Sequence, residues 1–319
     1  MSITHIVVGT LWVGVMILGA GQVYSQTYPN KPIRLVAAPV GGGADFVARL
    51  IAAGISGPLG QPVIVENRPT ILIPEIVAKA PPDGYTLLVS GAGLWIRPLL
   101  QNMPYDAVRD FAPITLATSV PDILVVHPSL PVRSVNELIA LAKARPGVLN
   151  YASSATGSSA HLAGELFKSM AGVNIVLVAY QRANETQIRA VISGEMQLAF
   201  VGAGVAAPSL KSGKLKALAV ASAQPFSVLP GVPTMAASLP GFESVTALAL
   251  FAPGKTPATI ISRLNQKMVR VLNQADVKEK LFNAGVEIIG NSPEQATAII
   301  KSDIDRMGKV IKEAGIHVE

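Results

Sequence analysis

No cysteine occurs in the 319 residues. That excludes disulfides, thiolate nucleophiles and thiolate metal sites together. Histidine is scarce too: His5, His127, His161 and His317 stand far apart without metal-ligand spacing, which argues against a metal centre. Aromatic residues make up 5 % of the chain and charged residues 14 %, with Lys and Arg scattered singly. There is no basic run and no interleaving of aromatics with arginine. The net charge of +6 therefore favours an anionic partner mildly and gives no nucleic-acid footprint. Also missing are a G-x-G-x-x-G dinucleotide fingerprint, a Gly-Lys-Ser/Thr phosphate loop and a G-x-S-x-G elbow. What is present in quantity is apolar: half the residues are hydrophobic, enough for the cores of two ordinary domains.

The first apolar run lies at residues 3–20 and is followed by Gly21-Gln-Val-Tyr-Ser-Gln26. Val23 and Ser25 are small enough for the −3 and −1 positions of a signal-peptidase site, so cleavage after Ser25 is expected. The alternative is an uncleaved N-terminal anchor, because 18 residues just span a bilayer. Either way the chain is exported, which predicts a periplasmic location.

Beyond the leader, short β-rich runs alternate with helical patterns, the mark of an α/β fold. Strands are expected at 33–38, 62–66 and 85–90, with extended runs at 111–116 and 122–127. A second series follows at 149–152, 175–179, 197–201 and 215–222, and a last strand at 245–252. Ser134-Val-Asn-Glu137 and Ser292-Pro-Glu-Gln295 read as capping boxes. Thr256-Pro257 reads as a cap with proline at the first helical position. Ile261, Leu264, Met268 and Val271 mark one apolar helix face.

Two strand-loop-helix units carry small polar residues, Leu35 to Arg49 and Tyr151 to Phe167. In the first, Gly41-Gly42-Gly43 lets backbone approach a bound group, and the helix behind offers unpaired N–H donors to an anion. Asp45 serves that helix start and pairs with Arg49 one turn on. In the second, Ser153-Ser-Ala-Thr-Gly-Ser-Ser159 offers hydroxyls and helix N–H groups suited to a carboxylate, or simply a serine-rich cap. Tyr180-Gln181-Arg182 and Gly202-Ala-Gly204 also follow strands, where ligands of α/β sheets gather. Arg182 suits a bidentate grip on a carboxylate. His161 beside Ser158 and Ser159 leaves a serine-hydrolase reading open.

With those segments in hand, the chain resembles the Bug family of periplasmic receptors of tripartite tricarboxylate transporters. The likeness rests on Tyr28-Pro-Asn-Lys-Pro-Ile-Arg34, Gly42-Gly-Ala-Asp45, Val65-Glu-Asn-Arg-Pro69 and Pro82-Asp-Gly-Tyr-Thr86. It continues through Asp110-Phe-Ala-Pro113, Val125-Val-His-Pro-Ser129, Ser158-Ser-Ala-His-Leu-Ala-Gly-Glu165 and Leu250-Phe-Ala-Pro253. It implies a two-lobed type II periplasmic binding protein fold with the ligand cleft between the lobes. Residues 26–126 and 248–319 would form lobe 1, and 127–247 lobe 2. The implied ligand is a small organic acid, bound without cofactor or metal by a monomer that serves a membrane permease or a sensor.

The implied binding set is Pro39, Val40, Gly41, Gly42, Gly43, Ala44, Ser90, Ser153, Ala155, Thr156, Gly157, Ser158, Ser159, Tyr180, Arg182 and Gly202. Asp45 and His161 stand behind it as helix-cap or supporting residues. After Pro69 the family usually carries a glycine-rich stretch, where this chain has Thr70-Ile-Leu-Ile-Pro74. That departure points to a bulkier or less polar acid, or to a partner-binding protein that has lost its ligand.

Overall fold

The computed structural model describes residues 28–153, 158–180 and 184–316. The leader expectation therefore lies outside the described residues. The chain runs through β1 (Ile33–Ala37), α1 (Gly43–Leu59), β2 (Val63–Asn67), α2 (Ile73–Ala78), β3 (Thr86–Gly91), the short α3 (Gly93–Ile96) and β4 (Phe111–Val126). It continues through α4 (Val135–Ala144), β5 (Asn150–Ser153), α5 (Ser159–Ala171), β6 (Val176–Ala179), α6 (Asn184–Ile192), β7 (Leu198–Gly202), α7 (Ala203–Lys211) and β8 (Lys216–Val220). After the proline-rich stretch come β9 (Val245–Pro253), α8 (Ala258–Leu272), α9 (Ala275–Asn283), β10 (Glu287–Ile288) and α10 (Pro293–Ala314).

The strands form one path, β2-β1-β3-β9-β4-β7-β5-β6, with β8 and β10 attached to β4. β1, β2 and β3 are parallel, as are β5, β6 and β7. β4 belongs to both groups. From Phe111 to Pro121 it pairs with β9, and from Asp122 onward with β7 and β8. The extended runs at 111–116 and 122–127 are thus one strand of 16 residues. Its prolines fall where a ladder tolerates them. The register shifts beside Pro113, and Pro121 is the last residue before the strand changes partners.

β9 is antiparallel to β3 and to β4, and β4 is antiparallel to β7, with Asp122 opposite Gly202. The carboxyl ends of both parallel sets therefore converge on the Pro121–Asp122 crossing. This is a two-lobed α/β fold with its cleft at the convergence.

Successive strand residues face opposite sides of the sheet. Leu35, Leu87 and Val89 meet Ile51, Ile55, Leu264 and Met268 of α1 and α8. The apolar face expected from Ile261 to Val271 is buried in that layer. Val36 and Leu88 point the other way, into a cluster that runs from Trp95, Phe111 and Phe251 to Tyr151, Phe167 and Phe200.

The helix starts largely follow their capping signals. Ser292 and Gln295 form a complete capping box. Ser134 Oγ accepts the Glu137 N–H, but the Glu137 carboxylate takes the N–H of Arg133 rather than of Ser134, so that box is half formed. At α8 the expected threonine cap is absent. The Thr256 hydroxyl donates to the Pro253 carbonyl, and Pro257 itself is the N-cap.

Candidate ligand cleft

The turn between β1 and α1 is held from behind. Gly41 has φ +88°, which side chains rarely adopt. Its N–H donates to Asp45 Oδ2 at 3.0 Å. Asp45 Oδ1 also accepts from Arg49 Nε at 2.9 Å and Asn67 Nδ2 at 2.9 Å. Asn67 donates further to the Ala38 carbonyl at 2.6 Å, tying the turn to the end of β2. Hydrogen bonds from Arg49, the Gly41 amide and Asn67 hold the Asp45 carboxyl at about 2. Asp45 thus supports the turn and pairs with Arg49, as its spacing predicted. Pro39 to Ala44 follow the carboxyl end of β1 in the parallel β1–β3 set, with Val40 72 % exposed. Gly42 is the N-cap of α1 without a side-chain cap, which leaves N-terminal N–H donors for a ligand.

On the other side Ser153 is fully buried, and its Oγ lies 3.4 Å from Ser158 Oγ. The Ser153 carbonyl accepts the N–H of Tyr180 at 2.8 Å, which sets those two residues side by side. Ser158 is the N-cap of α5, its hydroxyl accepting the His161 N–H at 3.3 Å. The His161 ring is 4 % exposed, with Nε2 4.0 Å from Glu165 Oε1. Burial pushes its pKa below the ordinary imidazole value, so the ring is neutral near pH 7. Glu165 is also held by the Tyr151 hydroxyl at 2.7 Å and by Lys168. Ala155, Thr156, Gly157 and Arg182 lie outside the described residues.

At the convergence lies a cavity of about 500 Å³. Val120, Asp122 and Thr246 of the crossing strands form one wall, with Ser159 at the start of α5. Gly202, Gly204 and Val205 at the start of α7 face Asn283, Ala284 and Gly285. Ser159 and Gly202 of the expected set thus meet in one cavity. The glycine turn does not line it: β1 stands three places from β4 on the same edge. Ser90 lines a smaller cavity of about 170 Å³ beneath Thr70, Ile71 and Pro74.

Asp122 was not among the expected residues, although a carboxylate inside an apolar strand run is the kind of signal that marks a site. It is 3 % exposed and accepts the Ser244 hydroxyl at 2.8 Å. Burial pushes its pKa up to about 6, against the opposing pull of that hydrogen bond. The Asn283–Gly285 turn was also missed. It approaches so closely that a Cβ on Gly204 would stand 3.0 Å from the Ala284 carbonyl oxygen. Among the described residues, no Lys or Arg lines the cavity. An anion there would be held by helix N–H groups and the Ser159 hydroxyl.

The family described as tripartite tricarboxylate transporter family receptor matches residues 47–316. The chain belongs to this family. Protein BugT of Bordetella pertussis is 33 % identical over 318 residues, covering 96 % of this receptor and 97 % of its relative. The solved structure of R. palustris Rpa4515 with adipate is 36 % identical with a TM-score of 0.74, covering 91 % and 99 % of the two chains. MatC (Rpa3494) from Rhodopseudomonas palustris with bound malate is 29 % identical with a TM-score of 0.69, covering 89 % and 100 %. The receptor thus shares the fold of carboxylate-bound family members. Its Ser158 hydroxyl acts as a helix cap, and the family is one of binding receptors rather than hydrolases.

Proposed function

We propose that this receptor captures a small organic carboxylate between its lobes in the periplasm and presents it to a membrane permease, without catalysing a reaction. The observation that carries this reading is the convergence of two helix starts, at Ser159 and Gly202, on one cavity. Helix N-terminal N–H groups at a cavity wall favour an anion there and need no buried ammonium. The carboxylate ligands of Rpa4515 and MatC support the same class. The glycine turn at Pro39–Ala44 and the Ser153–Ser159 segment are the two jaws, and Asp45 keeps the first in shape. The hinge lies where β4 changes partners, at Pro121–Asp122. The leader is cleaved after Ser25, and the mature receptor is a monomer.

Ligand binding to one closed form stabilises it in proportion to its preference for that form. A thermal-shift screen of mono-, di- and tricarboxylates should find at least one acid that raises the melting temperature of the folded protein. If no acid does so at millimolar concentration, the reading is wrong.

A further inference from the structure

Among the described residues that line the cavity at the convergence, Asp122 alone is titratable, and its charge has the wrong sign for an anion site. Strand register fixes where it points. Val120 pairs with Thr246 and Asp122 with Gly202. Cross-strand partners share a face, as do residues two apart on one strand. All four line the cavity. Gly202 is also the N-cap of α7 and brings no side-chain cap. It stands one strand spacing, ~5 Å, from Asp122. An anion seated on the N–H groups of that helix start is thus a near neighbour of the Asp122 carboxyl.

Asp122 is buried, and the Ser244 hydroxyl is its one side-chain hydrogen bond among the described residues. The charges on the surrounding elements do not compensate it. β7 has none, Lys216 of β8 donates to the Val132 carbonyl, and Lys211 stands in the last turn of α7. On α5, Lys168 pairs with Glu165 and the His161 ring is neutral. Behind Ser244, Arg306 pairs with Asp303 and donates to the Glu243 carbonyl. An ionised Asp122 would repel a carboxylate beside it, whereas a protonated one offers it an O–H donor. Burial already holds this carboxyl at about 6, and a second negative charge pushes it the same way.

We propose that Asp122 takes up a proton from solvent as the acid binds, so that it and the bound carboxylate share that proton in one hydrogen bond. This rests on the carboxylate-receptor reading. Below about pH 6 the proton is in place beforehand and binding draws in none. Above that pH each bound acid draws in up to one proton, and affinity falls as the pH rises.

Isothermal titration at pH 7.5 in HEPES and in Tris, which differ in ionisation enthalpy, counts the protons. The probes are succinate, malate, adipate and benzoate, all ionised at that pH. An acid that binds should take up about one-half to one proton, and its affinity should fall roughly threefold to tenfold from pH 7 to pH 8. Asp122→Asn keeps an acceptor for Ser244 and offers the ligand an N–H donor that does not titrate. It should bind without proton uptake, equally at both pH values, and more tightly than wild type at pH 8. Wild-type binding without uptake, or uptake that persists in Asp122→Asn, overturns the proposal and leaves the receptor reading standing. Weaker binding by Asp122→Asn at pH 8 overturns it as well, because Asp122 would then act as an ion. Binding of none of the four acids overturns both readings.

Discussion

Asp45 and Asp122 carry the same side chain and respond to pH in opposite ways, because one is surrounded by donors and the other by apolar strands. Asp122 has one donor, the Ser244 hydroxyl, and is held up to about 6 by burial. Below about pH 4 it is protonated whether folded or unfolded and costs nothing. From about pH 4 to 6 the unfolded chain releases the proton first, and stability falls. Above that the penalty is constant, roughly 2–3 kcal/mol for a shift of about two units. Asp122→Asn keeps an acceptor for Ser244. It should raise the melting temperature by several degrees at pH 8 and leave it unchanged at pH 4, as scanning calorimetry would show. An equal change at both pH values would refute the assignment.

At Asp45 the sign reverses. Its carboxyl is held at about 2 by Arg49, the Gly41 amide and Asn67. Its contribution is complete above the ordinary carboxylate value and is lost as pH falls from about 4 through 2. Asp45→Ala should speed amide exchange at Gly41 at pH 7, and the difference from wild type should close as the pH approaches 2. Unchanged exchange at Gly41 would mean that the carboxylate does not hold the turn.

Among the elements, α5 is the most constrained by its neighbour. A Cβ on Gly164 would fall against the ring of Tyr151, itself fully buried in β5 and hydrogen-bonded to Glu165. Alanine gains up to ~1 kcal/mol of helix propensity over glycine, but forcing a methyl into a packed core costs ~1–3 kcal/mol. Overpacking wins, because the ring is anchored at both ends. Gly164→Ala should lower the urea midpoint without changing the far-UV spectrum of the folded state. A raised midpoint would show that the ring gives way.

What could be read in the chain follows the same division between local and distant causes. The capping box at Ser292, the α8 stripe and the glycine turn were legible because each depends on residues within one or two turns. β4 was not, because its prolines look like interruptions until β9 and β7 supply partners on either side of Pro121. The cavity was half legible. Ser159 and Gly202 follow strands and were expected. Asp122 becomes a site residue only because Ser244, 122 residues away, closes over it. The Asn283–Gly285 turn enters only because α9 and β10 bring it to α7, and that pairing leaves no mark on either segment.

At the scale of the whole molecule, the cleft side and the opposite side are built differently. On the cleft side the lobes meet across a cavity. On the other, a single apolar cluster runs from Val36, Trp95 and Phe251 to Tyr151, Phe167 and Phe200. α10 bridges it, a helix of 22 residues, ~33 Å long. It packs on α3 and β4 in one half and on α5 in the other. Asp303 of this helix accepts the Trp95 indole N–H at 2.7 Å and pairs with Arg306, whose guanidinium reaches the Glu243 carbonyl beside β9. A shared core couples the two halves more strongly than two connecting strands would, so the lobes should unfold together. Urea titration followed by far-UV circular dichroism and by the fluorescence to which Trp95 contributes should give coincident single transitions. Truncation before Ser292 removes Ile300, Met307, Val310 and Ile311 from the cluster. It should abolish folding or split the transition in two. Two transitions in the intact chain would mean that the halves are independent and joined only by β4 and β9. Coincident curves would show that the two halves, bridged by α10, form one cooperative unit.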